Sequence, residues 1–212
     1  MKKLHTILFF TLVTMMIFSC KKDEESETKL DKNGLTKDIT NFVADSIIQK
    51  MKDLGMPIYG GENPPLLVEN GQEVKFFINN FTLINSNVPE DYPNKIFSNL
   101  FVYVKNQDNN LLTISYKSTN EALTSTSVGR GSYIVGNNNK FTIFVDIQNV
   151  KEGTTSKADL VYVISGEYSA EGISNLYYAN FMLNDYGDVN NIYIGNGQGR
   201  VIHDADGFSE FQ

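Results

Sequence analysis

The chain has 212 residues, with 18 basic against 25 acidic side chains, a net charge of −7, one cysteine and no tryptophan. That acidity disfavours nucleic acid and anionic lipid headgroups as partners. A single cysteine, Cys20, excludes intramolecular disulfides and thiolate metal clusters, and the length suits one domain.

Lys2 and Lys3 precede an apolar run from Ile7 to Phe18 that only Thr11 and Thr14 interrupt. Such a run suits the core of a secretory signal and is shorter than the about 20 residues a membrane-spanning helix needs. Ile17-Phe18-Ser19-Cys20 resembles a bacterial lipobox, which implies a signal peptide over 1–19 and acylation of Cys20 by palmitate-type chains. Lys21-Lys22-Asp23-Glu24-Glu25 resembles the export tag of surface lipoproteins in Bacteroidetes-type Gram-negative bacteria. The resemblance implies an outer-membrane, lipid-anchored protein displayed on the cell surface. Loss of the leader with its two lysines would take the net charge from −7 to −9.

Residues 20–34 read as the lipidated cysteine and a flexible charged tether. A single folded domain is expected over 35–212. Its first element is one amphipathic helix over 36–54, where Leu35, Ile39, Phe42, Val43, Ile47, Met51 and Leu54 form an apolar face. Thr36 caps its start, Asp38 sits in its first turn, and Gly55 and Pro57 stop it. Asp45-Ser46-Ile47 matches the short O-glycosylation pattern of these bacteria.

After the Gly- and Pro-rich crossing at 55–65, the period becomes two. Val74 to Ile84 reads as a strand broken at Asn79-Asn80. Leu100–Lys105 and Leu111–Tyr116 pair across "NQDNN", and Ser132–Val135 and Phe141–Ile147 pair across "GNNNK". Between these hairpins, 117–130 reads as a serine- and threonine-rich passage. Phe141, Ile143, Val145 and Ile147 share one strand face. Leu160–Tyr168 and Ile173–Leu183 join through "SAEG", with Ile173, Tyr177, Ala179, Phe181 and Leu183 expected on one face. A last pair, Ile192–Ile194 and Arg200–His203, flanks "GNGQG".

The fold class is therefore all-β, an antiparallel up-and-down barrel of about eight to ten strands, with a sandwich as the other choice. Strand order and length over about 66–204 resemble the calycin group, the lipocalin-like barrels, although the usual Gly-x-Trp is absent. The runs "ITNFVADSIIQKMKDLGMPIYGGENPP", "LYYANFMLNDYGD" and "GRVIHDADGFSE" resemble an uncharacterised group of Bacteroidetes lipoproteins. The 36–54 helix is expected to close one barrel mouth, leaving the 85–99, 117–130 and 184–191 stretches at the open end.

Candidate chemistry is sparse. His203 is the one imidazole of the mature chain. Asp204 and Asp206 in "HDADG", and Asp185 and Asp188 in "NDYGDVNN", are weak metal candidates that read better as turn residues. "GNGQGR" lacks the following helix that a phosphate cradle requires. Asp146 and Glu167 are the carboxylate pair that a glycan-acting enzyme would use. Strand aromatics point elsewhere: Tyr103, Tyr116, Tyr162, Tyr177 and Phe181 combine greasy faces with hydrogen-bonding tips. The expected function is non-catalytic and without cofactor: a barrel binding a small apolar or sugar ligand. The alternatives are an interaction module or inhibitor with a filled barrel and an envelope-protein partner, and a glycan-acting enzyme.

Overall fold

The computed structural model describes residues 30–69, 71–120, 126–150, 156–188 and 190–212. The expected signal peptide, Cys20 and most of the expected tether lie outside the described residues. From Val74 onward the alternating apolar and polar pattern becomes strands. In chain order the strands are β1 (Glu62–Asn63), β2 (Val74–Ile78), β3 (Phe81–Ser86), β4 (Leu100–Asp108), β5 (Thr113–Asn120), β6 (Thr126–Asn137), β7 (Lys140–Val150), β8 (Lys157–Tyr168), β9 (Gly172–Asn184), β10 (Gly199–Asp204) and β11 (Phe208–Glu210). Nine of them form a nearly closed antiparallel barrel in the order β2-β4-β5-β6-β7-β8-β9-β10-β3. Two short helices precede them, α1 (Lys37–Phe42) and α2 (Asp45–Asp53).

The two ends of this ribbon meet because β2 and β3 are halves of one bent strand. The bend falls at Asn79-Asn80, where Asn80 adopts φ 45°. Asparagine tolerates that left-handed backbone better than most side chains. On one side β2 pairs with β4, and Thr82 and Ile96 continue that edge as an isolated bridge. On the other side β3 pairs with β10, and Phe76 bridges Phe211 beyond β11. β10 and β11 lie end to end against β9, separated by the His203–Gly207 turn. That motif therefore bulges a continuing edge and does not end the chain's last strand.

Inside the barrel, Phe141, Ile143, Val145 and Ile147 share one face as the period predicts. Phe76, Ile78, Ile164 and Ile173 join them, so most of the interior is packed core. The wall over β7–β10 is also apolar outside, through Phe144, Val161, Val163, Ala179, Phe181 and Val201. A strand buried on both faces reads as an unbroken apolar run, as Leu160-Val161-Tyr162-Val163-Ile164 does.

Both helices pack on this outer wall, through Leu35, Ile39, Val43, Ile48 and Met51. They do not close a mouth, contrary to the expectation from the helix alone, because the matching apolar surface lies on the barrel's flank. The predicted single helix is also two. Val43 is extended and donates its N–H to the Ile39 carbonyl, and Ala44 starts α2 without a side-chain cap. The Thr36 cap is present, its Oγ1 accepting from the Ile39 N–H at 3.3 Å. Residues 30–34, read as tether, fold against the domain: Gly34 accepts from the Gly61 N–H at 2.9 Å, and the Asp31 carboxylate accepts from the Asn33 and Leu35 N–H groups.

Further differences concern strand limits and parity. Ile192–Ile194 is loop, so β9 and β10 are joined by the 185–198 stretch. The 117–130 passage is largely strand, β5 reaching Asn120 and β6 starting at Thr126. Asn175, at φ 50°, bulges β9. That bulge puts Ile173 with the interior residues and Tyr177, Ala179, Phe181 and Leu183 with the outer ones.

Candidate functional site

Topology sorts the connections by length. The turns at 109–112, 138–139 and 169–171 lie at one end of the barrel, and the 87–99 and 185–198 loops at the other. At the loop end the packed interior gives way to a cavity of about 240 Å³. Its rings are Phe81, Phe97, Tyr162 and Tyr178, and Leu100 and Ile202 complete the apolar lining. Its polar lining is Ser98, Ser118, Asn120, Ser127 and Asn180.

The rings interlock. Phe81 meets Tyr178 edge-on at 5.3 Å and Phe97 edge-on at 6.4 Å, and Tyr162 lies 5.5 Å from Tyr178. Tyr116, next in the row that carries Ser118, meets Tyr162 edge-on at 6.5 Å. Cross-strand pairing sets Tyr162 opposite Asn180. Burial holds the Tyr116 and Tyr178 hydroxyls far above the ordinary tyrosine range, so both stay neutral. The Tyr116 hydroxyl sits beside those of Ser118 and Tyr178 without a well-formed hydrogen bond to either. Asn180 Oδ1 is likewise buried and unpaired. Buried polar atoms without partners are uncommon and costly, and they mark places where a partner is expected.

The rim is held by a buried carboxylate. Asp91, its side chain 1% exposed, accepts from Arg200 Nε at 2.6 Å, Lys95 Nζ at 2.8 Å and Ser86 Oγ at 2.7 Å. Burial alone would raise this carboxyl, but the bonds from Arg200, Lys95 and Ser86 outweigh it and bring it down to about 2. The loop then returns to the sheet at Phe97, whose N–H donates to the Phe81 carbonyl at 2.8 Å. The Arg200 guanidinium lies 5.7 Å from the Phe97 ring. Asp91 thus positions a wall of the cavity from outside it.

Of the five aromatic candidates, Tyr162 lines this cavity, and Tyr116 packs against Tyr162 from outside the lining. Tyr103 points outward from β4. Tyr177 lies on the outer face beside His203, with ring centroids 6.3 Å apart. Phe181 is fully buried beneath the helices. Tyr178 and Asn180 were not among the candidates because the Asn175 bulge reverses the inward parity of β9, and Ser118 was not because 117–130 reads as a passage between hairpins whereas β5 runs on to Asn120. The one readable signal was Tyr177-Tyr178, which puts a tyrosine on each face of any strand.

The acidic candidates are dispersed. Asp185 Oδ1 accepts from the Gly187 N–H, and Asp188 Oδ2 from the Tyr193 N–H, as turn residues do. Asp206 accepts from the Phe208 N–H. Asp204 is 2% exposed and accepts from Ser209 Oγ at 2.6 Å. Burial, with Asp206 nearby, pushes its carboxyl up to about 7. No group of three His, Cys, Asp or Glu side chains able to hold a metal occurs among the described residues. Asp146 lies opposite Val161 and pairs with Arg130, while Glu167 pairs with Lys140. Six positions along β8 separate them, about 20 Å, too far for the 5–9.5 Å spacing of glycosidase carboxylates. Ser46 is exposed on the first turn of α2. Among the described residues, no helix is long and apolar enough to cross a membrane.

Comparison with protein-family models, with curated proteins and with solved structures finds no match to this chain.

Proposed function

We propose that this chain is a lipid-anchored lipoprotein of the bacterial outer surface whose barrel binds a small ligand without transforming it. The ligand carries an apolar face and hydroxyl groups, as one sugar ring does. One observation carries the reading: the cavity of about 240 Å³ at the loop end, ringed by aromatics, with Asn180 Oδ1 buried and unpaired in its lining. The volume is below the roughly 300–1,000 Å³ of drug-sized sites, and packed Phe76 and Phe141 leave no channel for a long acyl chain. Aromatic faces with a few convergent polar groups suit stacking plus hydrogen bonding.

The anchor rests on Lys2-Lys3, the apolar run and Ser19-Cys20. Several acyl chains on one cysteine give stable membrane attachment where a single chain is marginal. Palmitate labelling of cells expressing the chain should mark it, and Cys20→Ser should abolish the label.

The binding reading is tested on the purified protein by NMR titration with neutral mono- and disaccharides, and by native mass spectrometry for a carried molecule. The chain has no tryptophan and 11 tyrosines, so its intrinsic fluorescence is that of tyrosine, and the Tyr162→Phe and Tyr178→Phe variants identify the part of any response that comes from those two rings. The expected result is a response at Tyr162, Tyr178 and Asn180, weakened about tenfold or more in Asn180→Leu. A folded protein that carries nothing and responds to no neutral sugar would overturn it.

A further inference from the structure

The helices cover the outer wall around β7–β10. Around the rest of the barrel the outward residues of β2, β4 and β5 are half-buried or exposed, and they form an ordered row. Lys75 pairs across the strands with Tyr103, and Tyr103 with Lys117. Lys105 stands opposite Ser115 on the same face. The Lys75 ammonium lies 4.1 Å from the Phe101 ring centre, and that of Lys117 lies 5.3 Å from the Tyr103 ring centre. Phe101 stacks on Phe77 at 4.5 Å. These lysines are 42 positions apart in a chain of net charge −7, so no basic cluster shows in the sequence. The sheet assembles one.

Beside this row the wall is interrupted. The β5–β6 ladder breaks register between Thr113 and Lys117, and β6 bulges between Gly129 and Gly131. A cleft of about 350 Å³ opens there, lined on the outer side by Glu73, Tyr103, Lys105, Ser115, Lys117 and Arg130, and from the inner face of the wall by Tyr116 and Ser132. Arg130 is already neutralised by Asp146 at 2.5 Å and Asp159 at 3.2 Å. Lys105 and Lys117 enter no ion pair among the described residues. The cleft therefore presents the ammonium groups of Lys105 and Lys117, one carboxylate at Glu73, a phenol ring and the Ser115 hydroxyl.

We propose that this outer cleft binds an acidic saccharide, with a carboxylate or sulfate between Lys105 and Lys117 and the sugar ring against Tyr103. Ammonium groups attract the anion and donate charge-assisted hydrogen bonds to it. An aromatic face accepts the apolar side of a pyranose, and Ser115 meets its hydroxyls. A nucleic acid would need many more phosphate contacts than this row offers. A bilayer would need apolar side chains that project, whereas Phe77 and Phe101 lie half-buried, with the Lys75 ammonium over the Phe101 ring. Tyr116 lies between this cleft and the interior cavity, edge-on to Tyr162, but the two share no lining residue.

The test uses the purified full-length protein and three oligosaccharide probes: oligogalacturonate for carboxylate, a heparin hexasaccharide for sulfate, and maltohexaose as the neutral control. Calorimetry should detect binding of at least one acidic probe, weakening as salt rises. The variant K105Q/K117Q should lose about tenfold or more in affinity with its melting temperature unchanged. Tyr103→Ala should weaken binding further at constant salt dependence, and Asn180→Leu should leave it intact. The proposal fails if the folded wild type binds neither acidic probe, if K105Q/K117Q binds as tightly as wild type, or if anionic vesicles are bound in preference to both probes.

Discussion

Asp91 and Asp204 are both buried carboxyls, and their surroundings drive them in opposite directions. Asp91, at about 2 in the folded chain, contributes stability that is present above the ordinary carboxylate value and lost as pH falls from about 4 towards 2. Asp204, at about 7, keeps its proton where the unfolded chain has lost it. Its contribution is complete below about pH 4 and drains away as pH rises to about 7. His203, held low by burial, acts against Asp204 as acid is added below the ordinary imidazole value. Thermal melts of Asp204→Asn should therefore gain on wild type as pH rises from 4 to 8, which isolates the carboxyl from the imidazole. A constant difference across that range would contradict the burial argument. Asp91→Asn should cost about 1.5–3 kcal/mol at pH 7 and loosen Phe97, seen as weaker cavity binding. Tyr116→Phe removes a hydroxyl that is buried without a partner. Urea unfolding of the unliganded variant should show stability equal to wild type or higher by about 1 kcal/mol, and a loss of stability would show that the hydroxyl is bonded.

At the scale of elements, the helices and the outer wall form a second core against the first. Met51 and Phe181 are fully buried in it. Met51→Ala should cost about 2–4 kcal/mol and Phe181→Ala about 3–5 kcal/mol, measured by denaturant unfolding. Gly199 makes a close approach within this second core: a Cβ there would run into the Phe181 ring. Gly199→Ala should therefore destabilise by about 1–3 kcal/mol, and pairing it with Phe181→Leu should recover part of the loss. If the two changes were simply additive, the contact would not be the cause. The same element explains why its sequence misled. An amphipathic helix announces that it needs an apolar partner, and it carries no information about whether that partner is a mouth or a wall.

Considered whole, the molecule is a barrel with two unlike ends and two unlike flanks. Short asparagine and glycine turns close one end, and long loops pinned by Asp91 and by Asn87 surround the other. One flank is roofed by helices, and the opposite one displays lysines over aromatic rings. The ribbon meets itself at a single bend, Asn80. Asn80→Val puts a β-branched side chain where φ is positive, so it should destabilise the barrel, by about 1–3 kcal/mol, whereas Asn80→Gly should be tolerated. Equilibrium unfolding would decide, and equal stability of the two variants would show that the bend does not control closure.

Period-two alternation from Val74 onward, the asparagine-rich turns, the Thr36 cap and the break at Asn79-Asn80 were all legible in the chain, because each depends on neighbours a few residues away. The antiparallel barrel follows from them, and so does the inward row of β7. What depended on contacts between distant strands was not legible. The Asn175 bulge shifts parity by one residue and moves Tyr178 and Asn180 to the interior while sending Tyr177 and Phe181 outside, a change no local pattern announces. Lys75, Lys105 and Lys117 became neighbours through strand register alone. Local sequence determined which segments become strands and turns; tertiary pairing decided which side of each strand faces the cavity, because a one-residue slip reverses every side chain beyond it.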